Sequence, residues 1–306
     1  LSELYGARTL EIDQVLRRYD LYNAATASVV AQDASTLVAL TAYADGVNTW
    51  LDEVNKGALG RGAPEMWLFN PPVARWQPAD SIAILKLMAL QLTSSLENEV
   101  LRARVSLVVS PDRLRDILPD DPSSGVAALP SFAELVPGVA PNQPGTRMAY
   151  DPLMPVPPRA FAGASNAWAA NATRSATGST LLANDPHLGL TAPSIWFLAR
   201  LELADGGVIG GTIPGVPLVL TGRSANLGWG LTTANVDDQD VFLEQVNPNN
   251  SEEYRGLNGW KSFISHDSII TVKDAPAVTI RLRWTENGPV IPDNLFDLGT
   301  ITPPGH

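Results

Sequence analysis

The chain has 306 residues, 45% hydrophobic and 17% charged, enough to bury one large core or two smaller ones. Its 32 acidic and 21 basic side chains leave a formal net charge of −11, which argues against binding nucleic acid or an anionic membrane, since both need a basic face. The absence of cysteine excludes disulfides, thiolate metal sites and a cysteine nucleophile, and no run approaches the ~20 apolar residues of a membrane-spanning helix.

Residues 1–118 read as helical. Leu37, Leu40, Ala44, Val47 and Leu51 recur at helical spacing, and a second periodic run covers Ser81 to Leu107. Between them Gly57, Gly60, Gly62, Pro64, Pro71, Pro72 and Pro78 predict a long loop, with Asp80-Ser81 starting the second helix. Residues 119–164 hold ten of the chain's 25 prolines. Proline fixes φ and removes a donor, so this stretch predicts a linker or a processed spacer rather than a long helix or central strand. Residues 165–306 read as β, with short strands expected at Ala167–Asn171, Ser179–Ala183, Ser194–Leu203, Gly207–Ile213, Leu218–Leu220, Leu231–Thr233, Val241–Gln245, Ser268–Val272 and Val278–Trp284. Helices then strands in separate blocks predict an α+β fold. The chain has no initiator Met and ends after a strand-like segment, so it is expected to be part of a longer protein.

Gly163-Ala164-Ser165-Asn166-Ala167 nearly matches the Gly-x-Ser-x-Gly nucleophile elbow, and His187 follows in Asp185-Pro186-His187. A Ser-His-Asp esterase using Ser165 and His187 is therefore one reading. An elbow needs a strand before the serine and a helix after it, whereas here a proline-rich loop precedes and a strand pattern follows. The other reading cuts the chain before Ser165. The serine hydroxyl and its new α-amine then lie on one residue, and an amine of pKa roughly 7.7–8.0 can act as general base near neutral pH.

The residues around Ser165 carry a resemblance. Ser165-Asn166-Ala167-Trp168, Ser175-Ala176-Thr177-Gly178 and Leu181-Leu182-Ala183-Asn184-Asp185-Pro186-His187-Leu188 follow in order. Then come Ile213-Pro214-Gly215-Val216-Pro217, Gly222-Arg223-Ser224, Leu227-Gly228-Trp229-Gly230-Leu231-Thr232 and Asp237-Asp238-Gln239-Asp240. Upstream lie Ala42–Leu51 and Trp76-Gln77-Pro78-Ala79-Asp80-Ser81. Together they resemble the penicillin acylase (penicillin amidase) family of N-terminal nucleophile hydrolases, over nearly all the chain outside the linker.

The resemblance implies the central portion of a four-layer αββα sandwich. It implies a helical α-subunit part at 1–118, a spacer at 119–164 and the start of the β subunit at 165–306, two chains of one processed precursor. Ser165 would be the nucleophile of an amidohydrolase acting on a small-molecule acyl amide, with no organic cofactor. The Thr233 backbone N–H falls where the family places one oxyanion donor, and the His187 backbone carbonyl falls where it holds the α-amine. The side-chain amide that would be the second oxyanion donor is expected outside this chain. Asp237, Gln239 through its carbonyl, and Asp240 match a structural calcium loop, with Glu99 as a distant partner; Glu97, two residues away, fits the spacing as well. Calcium takes roughly six to eight oxygen ligands, so a turn rich in carboxylates suits it, although such a turn is also an ordinary solvated surface. Leu188 and Thr221 stand where phenylacetyl-cleaving members present aromatic pocket walls, so the resemblance leaves two substrate types open, a β-lactam antibiotic or an N-acyl homoserine lactone, with aliphatic acyl chains at least as well suited as phenylacetyl. Asn287, in Thr285-Glu286-Asn287-Gly288-Pro289, departs from the family's Thr-x-His-Gly-Pro and receives no role. By resemblance the protein is periplasmic or secreted. The rival of a different class is a non-catalytic, calcium-stabilised extracellular binding domain.

Overall fold

The computed structural model describes every residue except 58–61, 65–72, 94, 119–130, 140–163, 189–193, 205 and 234–238. In chain order the helices are α1 (Ser2–Tyr5), α2 (Leu10–Tyr19), α3 (Leu21–Val30), α4 (Ala34–Asn55), α5 (Pro78–Leu92), α6 (Ser95–Ser106), α7 (Pro111–Ile117) and α8 (Phe132–Leu135). The strands are β1 (Ala164–Ala170), β2 (Leu181–His187), β3 (Phe197–Leu203), β4 (Gly206–Thr212), β5 (Thr221–Arg223) and β6 (Gly228–Trp229), then β7 (Val246–Asn247), β8 (Asn250–Gly256), β9 (Gly259–Ser262), β10 (Ile264–Ile270), β11 (Val278–Thr285) and β12 (Gly288–Pro289). Helix and sheet are thus mixed in one chain, helices first. Among the described residues no helix is long and apolar enough to cross a membrane.

Two compact units draw on segments scattered along the sequence. One comprises Leu1–Asp20, Thr93–Pro155 and Val236–His306; the other comprises Leu21–Leu92 and Val156–Asn235. Each combines helices from before residue 119 with strands from after residue 163.

In the unit of Leu21–Leu92 and Val156–Asn235, α4 is capped by Asp33, whose carboxylate accepts the Ser35 and Thr36 backbone N–H at 2.8 and 3.0 Å. That satisfies two of the donors every helix start leaves free. Its buried stripe is Leu40, Ala44, Asn48 and Leu51, so a polar residue takes the place expected of Val47. Asn48 can be buried because its amide is paired twice with the Trp76 backbone: Nδ2 donates to the carbonyl at 2.9 Å and Oδ1 accepts the N–H at 2.8 Å. The helix expected from Asp80 begins at Pro78. Proline at the first position lacks only an N–H that would have no helical partner, while Asp80 accepts the Gln77 N–H at 2.6 Å. The single periodic run to Leu107 is two helices, α5 and α6, with Thr93 between them.

Strands β3-β4-β5-β6 form an antiparallel meander in this unit, and β1 pairs with β2. Leu218–Leu220 and Leu231–Thr233, expected as strands, are irregular, and the pairing falls instead to β5 and β6. The Thr212 hydroxyl holds the Leu218 carbonyl at 2.7 Å, bending that apolar run into a buried corner around Val216 and Val219.

In the other unit, β10 and β11 form a hairpin whose inner face, Ile270, Val272, Ile280 and Leu282, packs with Leu10 of α2. A second cluster joins Leu96 and Val100 of α6 to Leu298 and Ile301. The segment Val241–Gln245 is not a strand; β7 follows it and pairs with β8. Most of the proline-rich stretch lies outside the described residues. Its described part forms α8, where Phe132 packs on the Leu96 cluster and the Ala133 N–H donates to Ser106 Oγ at 3.2 Å.

Candidate active site

Ser165 is the second residue of β1, and the antiparallel register sets it opposite Pro186, with Ala164 opposite His187. No helix follows, as a nucleophile elbow would need: β1 runs on to Ala170. Side chains alternate across a strand and directly opposed residues share a face. Ser165, Ala167, Asn184 and Pro186 therefore share one face of the pair, and His187 belongs to the other. The His187 ring instead lies with Asp185 on its own face, Nε2 2.6 Å from Oδ2, both side chains more than half exposed. This register is unsuited to a Ser165–His187 dyad and leaves the His187 backbone one position from the Ser165 backbone.

Pro186 has no N–H to offer opposite the serine. The Ser165 carbonyl is held by the Thr232 hydroxyl at 3.1 Å. Thr233, the expected oxyanion donor, is the next residue and is exposed. The segment 231–233 is itself anchored by Asn184, whose Oδ1 accepts the Leu231 N–H at 3.1 Å and whose Nδ2 donates to the Leu231 carbonyl at 2.9 Å. The same amide accepts the Thr221 hydroxyl at 2.6 Å and donates to the Asn166 carbonyl at 2.8 Å. Leu188 leaves the end of β2, half-buried, with its N–H on the Pro186 carbonyl at 3.0 Å. The sequence motifs contained Asn184 and Thr232 but assigned them no role. Asn184 sits mid-strand in an Ala-Asn-Asp-Pro run, and only the fold reveals its four hydrogen bonds to Asn166, Thr221 and Leu231.

The metal candidates are placed as follows. Glu99 is half-buried on α6, one residue before the buried Val100; Gln239 is half-buried and Asp240 exposed. Asp237 lies outside the described residues. Among the described residues no group of three or more His, Cys, Asp or Glu side chains is arranged to hold a metal ion.

Ser165 thus stands near the start of an antiparallel pair, with the Thr232 hydroxyl on its carbonyl and no helix after it. Residues 1–303 match the penicillin amidase family, and the chain belongs to it. It is 27% identical over 316 residues to acyl-homoserine lactone acylase QuiP of Pseudomonas aeruginosa, covering 99% of this chain and 36% of that protein. Against penicillin G acylase of Escherichia coli it is 23% identical over 348 residues, 95% of this chain and 40% of the other. Penicillin acylase 2 proenzyme of Pseudomonas sp. strain SE83 is 26% identical over 309 residues, 98% and 38% respectively. The chain spans little more than a third of the length of these relatives.

Proposed function

We propose that the full-length protein is an amidohydrolase that cleaves the linear amide between an acyl chain and an amine-bearing nucleus. The observation that supports this is the register of β1 on β2, in which His187 lies one position from Ser165, together with the Thr232 hydroxyl, next in sequence to Thr233, on the Ser165 carbonyl. Maturation comes first. The Ser165 hydroxyl attacks the Ala164 carbonyl carbon, the C–N bond breaks as the acyl group shifts from nitrogen to oxygen, and water opens the resulting ester. The products are a carboxylate on Ala164 and a free amine on Ser165. In turnover that amine takes the proton of Oγ as oxygen attacks the substrate carbonyl, then passes it to the departing amine. The tetrahedral oxyanion accepts from the Thr233 N–H, the His187 carbonyl holds the α-amine, and water releases the acid from the acyl-enzyme.

The names of the relatives support an acyl amide as substrate, and Leu188 supports an aliphatic acyl chain. The complete fold would be the four-layer αββα sandwich, and the site of action the periplasm or the outside of the cell. N-terminal sequencing of the purified full-length protein should find a chain beginning at Ser165, and Ser165→Ala should leave one uncut, inactive chain. Normal cleavage in that variant would point to an outside protease and defeat the autocatalytic step. A chromogenic acyl amide series should be turned over by the wild type, with aliphatic chains preferred to phenylacetyl.

Calcium is proposed in a structural role, joining Asp237, the Gln239 carbonyl and Asp240 to Glu99. Carboxylates converging without a cation would repel one another. Metal analysis should find about one calcium per molecule, and Asp240→Ala should lower stability or block maturation. A metal-free wild type of full stability would count against the site.

A further inference from the structure

Asn184 uses its whole hydrogen-bonding capacity at one junction. A carboxamide has two acceptor positions and two donors. Its Oδ1 takes the Thr221 hydroxyl and the Leu231 N–H, and its Nδ2 gives to the carbonyls of Asn166 and Leu231. Those partners belong to three pieces of chain: β1, β5 and the segment after β6. The two hydrogen bonds exchanged with Leu231 copy what a neighbouring strand would do, a side-chain amide standing in for a backbone one. Gly230 makes the approach feasible, since a Cβ there would lie 3.0 Å from both Cβ and Cγ of Asn184. By register, Asn184 also shares the face of Ser165, from which it lies two positions along the pair.

We infer that Asn184 is a positioning residue that sets the separation between the Ser165 strand and the segment carrying the Thr233 N–H. The inference rests on the proposed function. The nucleophile and the oxyanion donor lie 68 positions apart in sequence, one on β1 and the other in the irregular segment after β6. Asn184 bonds the residue next to Ser165 on one side and the residue two before Thr233 on the other. Thr232, on the Ser165 carbonyl, closes the same link. Loss of the amide would let the two drift, and a shift of about 1 Å in a reacting group costs on the order of 10²-fold in rate.

The test uses the full-length protein. Wild-type enzyme is first checked for the Ser165 N-terminus and for turnover; failure there removes the proposed function and this inference with it. In an active wild type, Asn184→Asp and Asn184→Ala should lower kcat by ~10–100-fold while KM stays within about twofold. Thr221→Val, which removes one of the four bonds, should lower kcat less. Added to Asn184→Ala it should cost nothing more, because both act through one link. If the Asn184 variants do not fold or mature, Thr221→Val decides alone, a loss of kcat at unchanged KM supporting the inference. Variants that are less heat-stable but keep wild-type kcat would overturn it and leave the proposed function standing. So would a change confined to KM.

Discussion

At Gly215 the backbone runs with φ at 90°, and its N–H donates to the Tyr43 hydroxyl at 3.1 Å. A Cβ at this position would lie 2.2 Å from Ile84 Cδ1 and 3.1 Å from the Trp76 ring. Glycine is needed twice over, for the positive φ and for the space. Gly215→Ala should therefore destabilise the protein by ~1–3 kcal/mol from overpacking alone, read as a lower midpoint in thermal unfolding. An unchanged midpoint would mean that Ile84 and the corner at Ile213–Pro217 can move apart freely. The candidate Ser165 stands out in the sequence because Ser-Asn-x-Trp marks it. Asn184 does not, since an asparagine in a short polar run predicts a turn as readily as a strand, and its four hydrogen bonds reach three residues 18, 37 and 47 positions away. The Thr221 hydroxyl, on a residue expected to line the pocket, donates to Asn184 Oδ1.

Helix α4 shows how an element's start is fixed by one carboxylate. The Ser35 hydroxyl, then the Thr36 backbone N–H and hydroxyl, hold the Asp33 carboxyl far below the usual carboxylate range. A depressed pKa means the folded state prefers the ionised form, so the contribution is fully present above the unfolded value of about 4 and is lost as pH falls through the lower folded value. Asp33→Ala should lower the melting temperature at pH 7, and the gap to wild type should hold down to about pH 4 and narrow below it. Asp33→Asn, which caps without titrating, should recover part of the loss. A gap independent of pH would mean that the ionised carboxylate is not what starts the helix. The helices were legible because their apolar residues repeat at helical spacing over several turns. The strands were placed less well. Strand β8, Asn250–Gly256, was missed because it is mostly polar, with only Tyr254 and Gly256 buried along it. The runs Leu218–Leu220, apolar, and Leu231–Thr233, rich in β-branched threonine, predict strands, whereas side-chain hydrogen bonds from Thr212 and Asn184 hold them in irregular conformations.

The two compact units each cross the proposed cut between Ala164 and Ser165. In the first, Leu96 and Val100 from before the cut pack on Leu298 and Ile301 from after it, and Leu10 joins the β10–β11 hairpin. The Lys273 N–H also donates to the Ser2 carbonyl at 2.9 Å. In the second, the corner at Gly215 sits against Tyr43, Trp76 and Ile84, all from before the cut. Cleavage therefore leaves no unit that is made of one product alone. Burial of this kind scales with apolar area rather than with chain continuity, so the cut removes a covalent tie without removing the contacts. Excising 119–164 takes away Phe132 but keeps the four buried members of the Leu96 cluster. The processed chains of the full-length protein should accordingly elute together in gel filtration and appear as two species only by mass spectrometry or denaturing electrophoresis. Raising denaturant should separate them in the same transition in which the fold is lost. Chains that part under native conditions, or that separate well before unfolding, would mean that contacts within the segments after Ser165 suffice to hold each unit, and the interleaving would carry no stability.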